Sequence, residues 1–264
     1  MRFAEIMELE SHGPDTWEGR GPSYPWGGLY GGQIVAQALA AAAASVASPF
    51  RIHSLHAFFI RLGNHEQPVR YEVDRIRDGR SFVTRRVVAR QSSGAILNLA
   101  ASYTSDEPGR TVQTQAMPAL PEPESLDSDS WSPLFDRRYA ERVGGGGRAT
   151  AWLRMAESID DNAHRHACAL AFLSDDLPTE AVIMAHPACP ESLADGDWPF
   201  WNASLDHAIW FHRPMRADAW HVHDFSCRAL MGARGLSVGN IFDADGAHVA
   251  SVTQEVLLRE RRST

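Results

Sequence analysis

Hydrophobic and polar residues alternate along several stretches of the first hundred residues, which is the pattern of half-buried β-strands. The clearest example is 69–77, where valine and tyrosine alternate with arginine, glutamate and aspartate, and a turn signal, Asp78-Gly79, follows it. An antiparallel meander is therefore predicted, with strands at 52–60, 69–77, 81–91 and 95–103.

One helix is predicted before this meander. Residues 29–44 pass from Leu-Tyr-Gly-Gly-Gln-Ile-Val-Ala into an alanine-rich run that ends before Ser48-Pro49, a strongly helix-forming composition. The segment carries so few charges that we expect it to be buried on nearly all sides. The strands that follow are then expected to wrap around it.

The second half of the chain repeats this order of elements. After a proline- and glycine-rich stretch, a strand is predicted at 150–155 and a helix at 163–173, capped by 160–162. A proline-rich loop then leads to a strand at 203–214, which ends at a proline. Further strands are predicted at 220–225, 229–242 and 248–259, with a turn at 243–246.

Weak sequence similarity between the halves supports a duplication. Residues 55–61 resemble 206–213, 80–82 resemble 234–236, and 99–104 resemble 249–254, in the same order and at a nearly constant offset. We therefore predict two tandem units, each made of a helix and an antiparallel sheet. The proposed division is an N-terminal unit (1–108), a linker (109–147), in which 131–135 has the composition of an ordered piece, and a C-terminal unit (148–264).

Composition and charge narrow the possible partners. The net charge is −8 and the pI is near 5.8, which argues against a nucleic-acid partner. All 25 basic residues are arginine, whose planar guanidinium suits a small phosphorylated ligand.

Three cysteines without a CxxC spacing indicate neither a disulfide framework nor a zinc site, so a reducing compartment is expected. The acidic N-terminus does not resemble a signal peptide. The least polar run, 31–46, is too short for a bilayer core of about 30 Å, so no membrane span and a cytoplasmic location are predicted.

Four longer motifs resemble the acyl-CoA thioesterase II (TesB-like) family: YGGQIVAQAL at 30–39, DGRSFVTRRV at 78–87, SLDHAIWFHRP at 204–214 and DGAHVASVTQE at 245–255. The resemblance extends from about residue 20 to 260. It implies an α+β double hotdog, in which each of two units wraps an antiparallel sheet around a central helix. It also implies hydrolysis of acyl-CoA to fatty acid and CoA, an activity of fatty acid metabolism that requires no cofactor.

The same resemblance places the family's catalytic Asp, hydroxyl and Gln at Asp175, Ser204 and Gln254. This chain departs from the family pattern in carrying a second acid, Asp176, where members often have an aromatic or apolar residue. Either aspartate can therefore be the base at this stage.

These residue types fit direct attack of water on a thioester. A carboxylate can accept a proton from water, while a hydroxyl and an amide can hold that water in position. Backbone N–H groups at Gly31 and Gly32, which open the first helix, are the expected donors to the carbonyl oxygen. Neither a covalent acyl-enzyme nor a metal is required.

Other interpretations of the residues remain open. Without the resemblance, the Asp, Ser and Gln would be ordinary loop and strand residues, and Arg85, Arg86 and Arg234 fit either CoA phosphates or an exposed strand face. His56 and His207 are expected to be structural, with satisfied ring nitrogens. The glycines at 27–32 lack the rest of a nucleotide-binding motif, and the histidine pairs at 164/166 and 221/223 are interpreted as coincidence in a histidine-rich chain rather than a metal site.

Two rival functions also remain. One is a hotdog hydratase or dehydratase, which would need a histidine–carboxylate pair and would leave the Ser and Gln unexplained. The other is a family member that binds acyl-CoA without turnover. In either case exposed sheet edges predict a homo-oligomer, a dimer or larger.

Overall fold

The computed structural model describes residues 1–142, 145–190 and 199–261. Residues 143–144 of the predicted linker, 191–198 of the predicted proline-rich loop and 262–264 of the predicted C-terminal unit lie outside the described residues. The helices are α1 (Phe3–Ile6), α2 (Gly31–Ala44), α3 (Ala163–Leu173) and α4 (Pro178–Ala185). The strands are β1 (Glu10–Ser11), β2 (Thr16–Gly19), β3 (Arg51–Phe59), β4 (Val69–Asp78), β5 (Phe82–Gln91), β6 (Gly94–Thr104), β7 (Phe135–Arg142), β8 (Arg148–Met155), β9 (Phe200–Ser204), β10 (Asp206–Phe211), β11 (His221–Met231), β12 (Arg234–Asp243) and β13 (His248–Glu260).

One continuous antiparallel sheet connects the two halves of the chain. Its strand order is β1-β2-β4-β5-β6-β3-β10-β13-β12-β11-β8-β7, and β9 adds to one end of β13. The halves meet where β3 pairs with β10, with Leu55 opposite Ile209. The two strands that resemble each other most in sequence are therefore direct neighbours.

The register of this central pair indicates an approximate twofold axis. His56 lies opposite Ala208, and Ala57 lies opposite His207. If His56 of the first repeat is equivalent to His207 of the second, then Ala57 is equivalent to Ala208. Exchanging the two repeats therefore turns the pair His56–Ala208 into the pair His207–Ala57. A twofold axis between β3 and β10 is the geometry expected of a duplicated unit.

The sheet register corrects one part of the repeat alignment. On β6, Ala100 lies opposite His56. On β13, continuing the register from Ala208 opposite Thr253 places Gln254 beside His207. The structural counterpart of Gln254 is thus Ala100, so matching 99–104 with 249–254 was wrong by four residues.

The helices pack on one face of the sheet and against each other. Helix α2 contacts β4, β5, β6 and α3, and most of its residues are buried, as its lack of charge predicted. In the second half the helical path is broken into α3 and α4, and α4 packs on β8, β11, β12 and β13. The residues that connect α3 to α4 lie where the candidate site is found.

Several elements differ from the prediction. Helix α4 occupies part of the predicted proline-rich loop. Pro178 is compatible with this helix because it stands in the first turn, where no backbone N–H is needed. Strand β7 lies within the predicted linker and pairs with β8, and the N-terminal segment, for which no element was predicted, forms α1, β1 and β2. The division of the chain into 1–108, 109–147 and 148–264 stays a prediction.

Two predicted strands are each interrupted once. The strand predicted at 229–242 contains a tight turn in which Met231 lies opposite Arg234 and Gly232 has φ +58°. The strand predicted at 203–214 divides at Leu205 into β9 and β10. There the Asp206 carboxylate accepts the Glu255 N–H at 2.6 Å, a bond that a straight ladder would give to a backbone carbonyl.

The start of α3 is capped as predicted. The Asn162 side-chain oxygen accepts the N–H groups of His164 and Arg165 at 3.0 and 3.3 Å. These N–H groups have no partner inside the helix, so the asparagine satisfies them. Helix α3 leads directly to the candidate site.

We expect Asn162→Ala to lower the free energy of unfolding by about 1 kcal/mol, because the cap is lost. Chemical denaturation followed by circular dichroism measures this change. Asn162→Asp keeps a capping oxygen and is expected to unfold close to wild type. Equal stability of the Ala variant and wild type would contradict the role of the cap.

Candidate active site

Three polar residues from different elements meet at the end of α3. Asp175 follows the last turn of that helix, Ser204 ends β9, and Gln254 lies within β13. The Ser204 hydroxyl donates to Asp175 Oδ1 at 3.0 Å, and Gln254 Nε2 donates to Ser204 Oγ at 2.8 Å. The structure thus brings together the three residues that the family resemblance selected.

The start of α2 completes this cluster. The Gly32 N–H, a first-turn donor without a partner inside the helix, donates to Asp175 Oδ2 at 2.8 Å. A Cβ atom on Gly31 would lie 2.6 Å from the same oxygen, and one on Gly32 would lie 2.3 Å from the Phe172 carbonyl oxygen. Glycine is needed at both positions for the helix of the first half to approach the acid of the second.

The hydrogen bonds of the cluster all point toward Asp175. Ser204 donates its single proton to the carboxylate, so its oxygen must accept from the amide nitrogen of Gln254. The amide oxygen of Gln254 then faces His207 Nδ1, at 2.5 Å. A neutral His207 must therefore carry its proton on Nδ1 and accept at Nε2, where the Ser174 hydroxyl lies at 2.8 Å.

Ser174 and His207 are members of the cluster that sequence analysis did not assign to it. His207 was expected to be structural with satisfied ring nitrogens, and both nitrogens are indeed bonded. Its partners, however, connect it to the candidate site. The available signals were the position of Ser174 directly before Asp175 and of His207 three residues after Ser204.

Burial controls the charge states of these groups. Burial raises the pKa of Asp175 to about 7, against the opposing effect of the hydrogen bonds that it accepts. Burial lowers the pKa of His207 to about 4, so the ring is neutral near pH 7. Asp175 can therefore exchange a proton near neutral pH, whereas His207 acts as a neutral hydrogen-bonding group.

The neighbouring acid, Asp176, has different partners. Arg137 Nη1 lies 3.0 and 2.9 Å from its two oxygens, and the Trp131 indole N–H donates to it at 2.6 Å. Glu180 lies on the same guanidinium at 3.5 Å. Asp176 is thus held in a buried ion pair, and of the two aspartates Asp175 is the one bonded to Ser204.

Gly31 and Gly32 do not have equivalent N–H groups. The Gly32 N–H is occupied by Asp175. Within the described residues, no hydrogen bond of the Gly31 N–H is found. Gly31 is therefore the better placed of the two predicted oxyanion donors.

The three arginines predicted to contact CoA phosphates are engaged elsewhere. Arg85 is buried, pairs with Asp78 and donates to the Ser45 carbonyl oxygen at 3.1 Å, which neutralises the C-terminal end of α2. Arg86 pairs with Asp74. Arg234 pairs with Glu255 at 3.2 Å. Each arginine thus has a carboxylate partner, and a contact with CoA phosphates stays a prediction.

The described residues contain no group of three or more histidine, cysteine, aspartate or glutamate side chains placed to hold a metal ion. His221 and His223 stack with ring centroids 4.9 Å apart and are fully buried. No helix in the described part of the chain is long and apolar enough to cross a bilayer.

Comparisons with known proteins agree with this architecture. The family model for the acyl-CoA thioesterase N-terminal domain matches residues 20–104, and that for the C-terminal domain matches 114–258. Human acyl-coenzyme A thioesterase 8 is 30% identical over 96% of this chain and 88% of its own length. Acyl-CoA thioesterase 2 of Haemophilus influenzae is 30% identical over 96% of both chains.

A solved structure confirms the predicted fold class. The acyl-CoA thioesterase II TesB2 of Mycobacterium marinum superposes with a TM-score of 0.85 and 34% identity, over 99% of this chain and 98% of its own. A hotdog-fold protein from Alicyclobacillus acidocaldarius, at 16% identity, superposes with a TM-score of 0.82 over 97% of both chains. The chain therefore belongs to the acyl-CoA thioesterase II family of double hotdog thioester hydrolases.

Proposed function

We propose that this protein hydrolyses acyl-CoA to a free fatty acid and CoA by direct attack of a water held by Asp175, Ser204 and Gln254. The observation that carries the proposal is the directed series of hydrogen bonds that ends on Asp175. It places a carboxylate of near-neutral pKa beside a hydroxyl and an amide of defined orientation. This is the arrangement that general-base activation of water requires.

The reaction then proceeds in two steps. Ionised Asp175 accepts a proton from the water as its oxygen bonds to the thioester carbonyl carbon, and the second Gln254 N–H and the Ser204 oxygen hold that water. The carbonyl oxygen becomes an oxyanion, toward which the N–H of Gly31 is the proposed donor. The oxyanion collapses, the C–S bond breaks, and the departing CoA sulfur takes up the proton held by Asp175, which restores the carboxylate.

The geometry favours hydrolysis over hydration. A hydratase would need a histidine that shares the substrate with an acid, whereas His207 is fully buried and bonded to Gln254 and Ser174. A binding protein without turnover would have no need of a base with a raised pKa. Saturable acyl-CoA binding without thiol release would identify such a binding protein.

The metabolic role, the cellular location and the oligomeric state are also proposals. Fatty acid metabolism follows from the proposed product, and a cytoplasmic location and a homo-oligomer of two or more chains are retained as proposals. Sedimentation of the purified chain measures the last of these.

We expect Asp175→Asn to lower thiol release from acyl-CoA by roughly 100- to 10,000-fold, because the base is removed. Release from a series of short to long acyl-CoAs, followed with a thiol reagent, measures the loss and reports the preferred chain length. The fold should persist, since an asparagine can still accept from Gly32 and donate to Ser204. Activity equal to wild type would exclude Asp175 as the base.

Asp176→Asn is the matched comparison. It weakens the buried pair with Arg137 and is expected to reduce stability by about 2 kcal/mol while thiol release by the folded enzyme persists. The two adjacent variants should therefore separate activity from stability. Loss of activity in Asp176→Asn without loss of stability would move the base to Asp176.

The rate should depend on pH through the ionisation of Asp175. Because only the carboxylate accepts a proton, kcat/KM should rise with pH to a plateau, with a midpoint near the pKa of about 7. Below the midpoint the rate should fall about tenfold per pH unit. Subtracting the enzyme-free rate at each pH corrects for spontaneous hydrolysis. A midpoint near the ordinary aspartate pKa of about 3.9 would contradict this role.

His207 is proposed to position Gln254. His207→Phe removes the donor to the amide oxygen, so the amide can rotate and compete with Asp175 for the Ser204 proton. We expect kcat to fall roughly tenfold with little change in KM, and the pH midpoint to rise. His207→Gln, which keeps an N–H donor, should recover most of the rate. An unchanged pH midpoint in His207→Phe would indicate a packing role alone.

A further inference from the structure

A cavity of about 790 Å³ lies away from the candidate active site. Its walls include the start of β3, the end of β10 and the start of α3. None of Asp175, Ser204 and Gln254 lines it. The active site lies at the opposite end of the same strand pair, where Phe59 of β3 approaches Gly31.

The twofold axis between β3 and β10 relates this cavity to the active site. His53 stands three residues before His56, as Ser204 stands three residues before His207, and His53 lines the cavity. The first residues of α3 line it as well, as the first residues of α2 form part of the active site. The cavity is therefore the duplicated counterpart of the catalytic cleft.

The counterpart does not carry the serine and the glutamine of the catalytic cleft at the equivalent positions. His53 replaces Ser204, and Ala100 replaces Gln254. Among the described residues that line the cavity there is no aspartate or glutamate. The cavity has space for a ligand but no carboxylate of the kind proposed as the base at Asp175.

The lining of the cavity is cationic, although the whole chain has a net charge of −8. Arg51, Arg110 and Arg213 are among its lining residues. Arg51 pairs with Asp106 at 2.7 Å, whereas within 1–142, 145–190 and 199–261 no ion pair of Arg110 or Arg213 is found. The other polar groups include histidines at positions 53, 164, 212 and 248. Two arginines thus have charges that a ligand can neutralise.

An apolar surface lies beside these charges. Ile52, Leu170, Phe211 and Met215 line the same cavity. Binding an anion here would bury apolar surface and satisfy guanidinium groups together. A ligand with an anionic group and a hydrocarbon or other apolar part matches the charged and the apolar residues of this lining.

One wall of the cavity comes from the segment after β6. Residues 110–115 line it, and Gln113 holds this segment to the turn between β12 and β13. Gln113 Nε2 donates to the Gly246 carbonyl oxygen at 2.9 Å, and its Oε1 accepts the His248 N–H at 2.9 Å. Arg110 is thereby connected to a segment that is tied to the second half.

We propose that this cavity is a second, non-hydrolytic site for an amphipathic organic anion, with Arg110 and Arg213 as its charged contacts. The anionic group is a carboxylate or a phosphate, so a fatty acid and the CoA moiety are the two sources of this chemistry. The site does not rest on the proposed hydrolysis, because its occupancy is measured as binding.

Calorimetric titration of the full chain with dodecanoate and, separately, with CoA tests the site. We expect wild type to bind at least one of the two at the cavity in addition to any binding in the catalytic cleft. In the double variant Arg110→Gln/Arg213→Gln, that class of binding should weaken by roughly tenfold or more. Arg228→Gln, an exposed arginine on β11 outside the cavity, is the matched control.

The two ligands distinguish the source of the anion. Weakened binding of dodecanoate alone assigns a carboxylate site, and weakened binding of CoA alone assigns a phosphate site. Loss of both supports a site that accepts either group. Binding of both ligands by the double variant as tight as by wild type overturns the proposal.

Thiol release by the same double variant separates this inference from the proposed function. Unchanged release together with weakened binding shows that the catalytic cleft is intact and that the loss is confined to the cavity. Absence of thiol release by wild type would end the proposed hydrolysis and leave the binding result to be judged by the titrations.

Discussion

The hydrogen bond from the Gly32 N–H to the Asp175 carboxylate is the contact on which the site depends. It brings the positive end of the first-half helix to a buried acid of the second half. The approach leaves no room for a side chain at Gly31 or Gly32. The environment of the proposed base therefore forms only when the two halves are packed together in this arrangement.

Two opposite effects act on that carboxylate. Burial favours its protonated form, while the donors that surround it favour the ionised form. Their balance leaves a group that titrates near neutral pH rather than a permanently charged or permanently neutral one. The adjacent Asp176 is bonded to Arg137 and Trp131 instead, and its charge adds the smallest of the effects on the pKa of Asp175, so two consecutive acids acquire different roles from their partners.

Much of the fold could be predicted because its signals are local. Helix α2 lacks charges, α3 has a capping asparagine, and strands such as β4 alternate, so these elements were predicted close to their observed bounds. Helix α4 was missed because proline suggested a loop, and β7 because its segment is rich in proline and acid. The turn at Gly232 lay within a continuous apolar pattern.

The residues of the candidate site could not be predicted from local sequence patterns alone. Asp175, Ser204 and Gln254 are separated by up to 79 positions (254 − 175), and their selection came from the family resemblance rather than from spacing. Ser174 and His207 were not assigned because a hydrogen-bond network depends on distances that sequence does not contain. The four-residue error in the repeat alignment had a similar origin, since only strand pairing shows that Ala100 is the counterpart of Gln254.

The covalent connection of the two halves has an evolutionary consequence. In a symmetric dimer of one such unit, the positions now held by Ser204 and His53 would be a single codon, and every substitution would appear in both clefts. After duplication and fusion, each cleft is inherited separately. One copy can keep the hydroxyl, the amide and the acid under selection while the other exchanges the hydroxyl for a histidine and the amide for an alanine, so a single chain can acquire two different ligand preferences without losing the first.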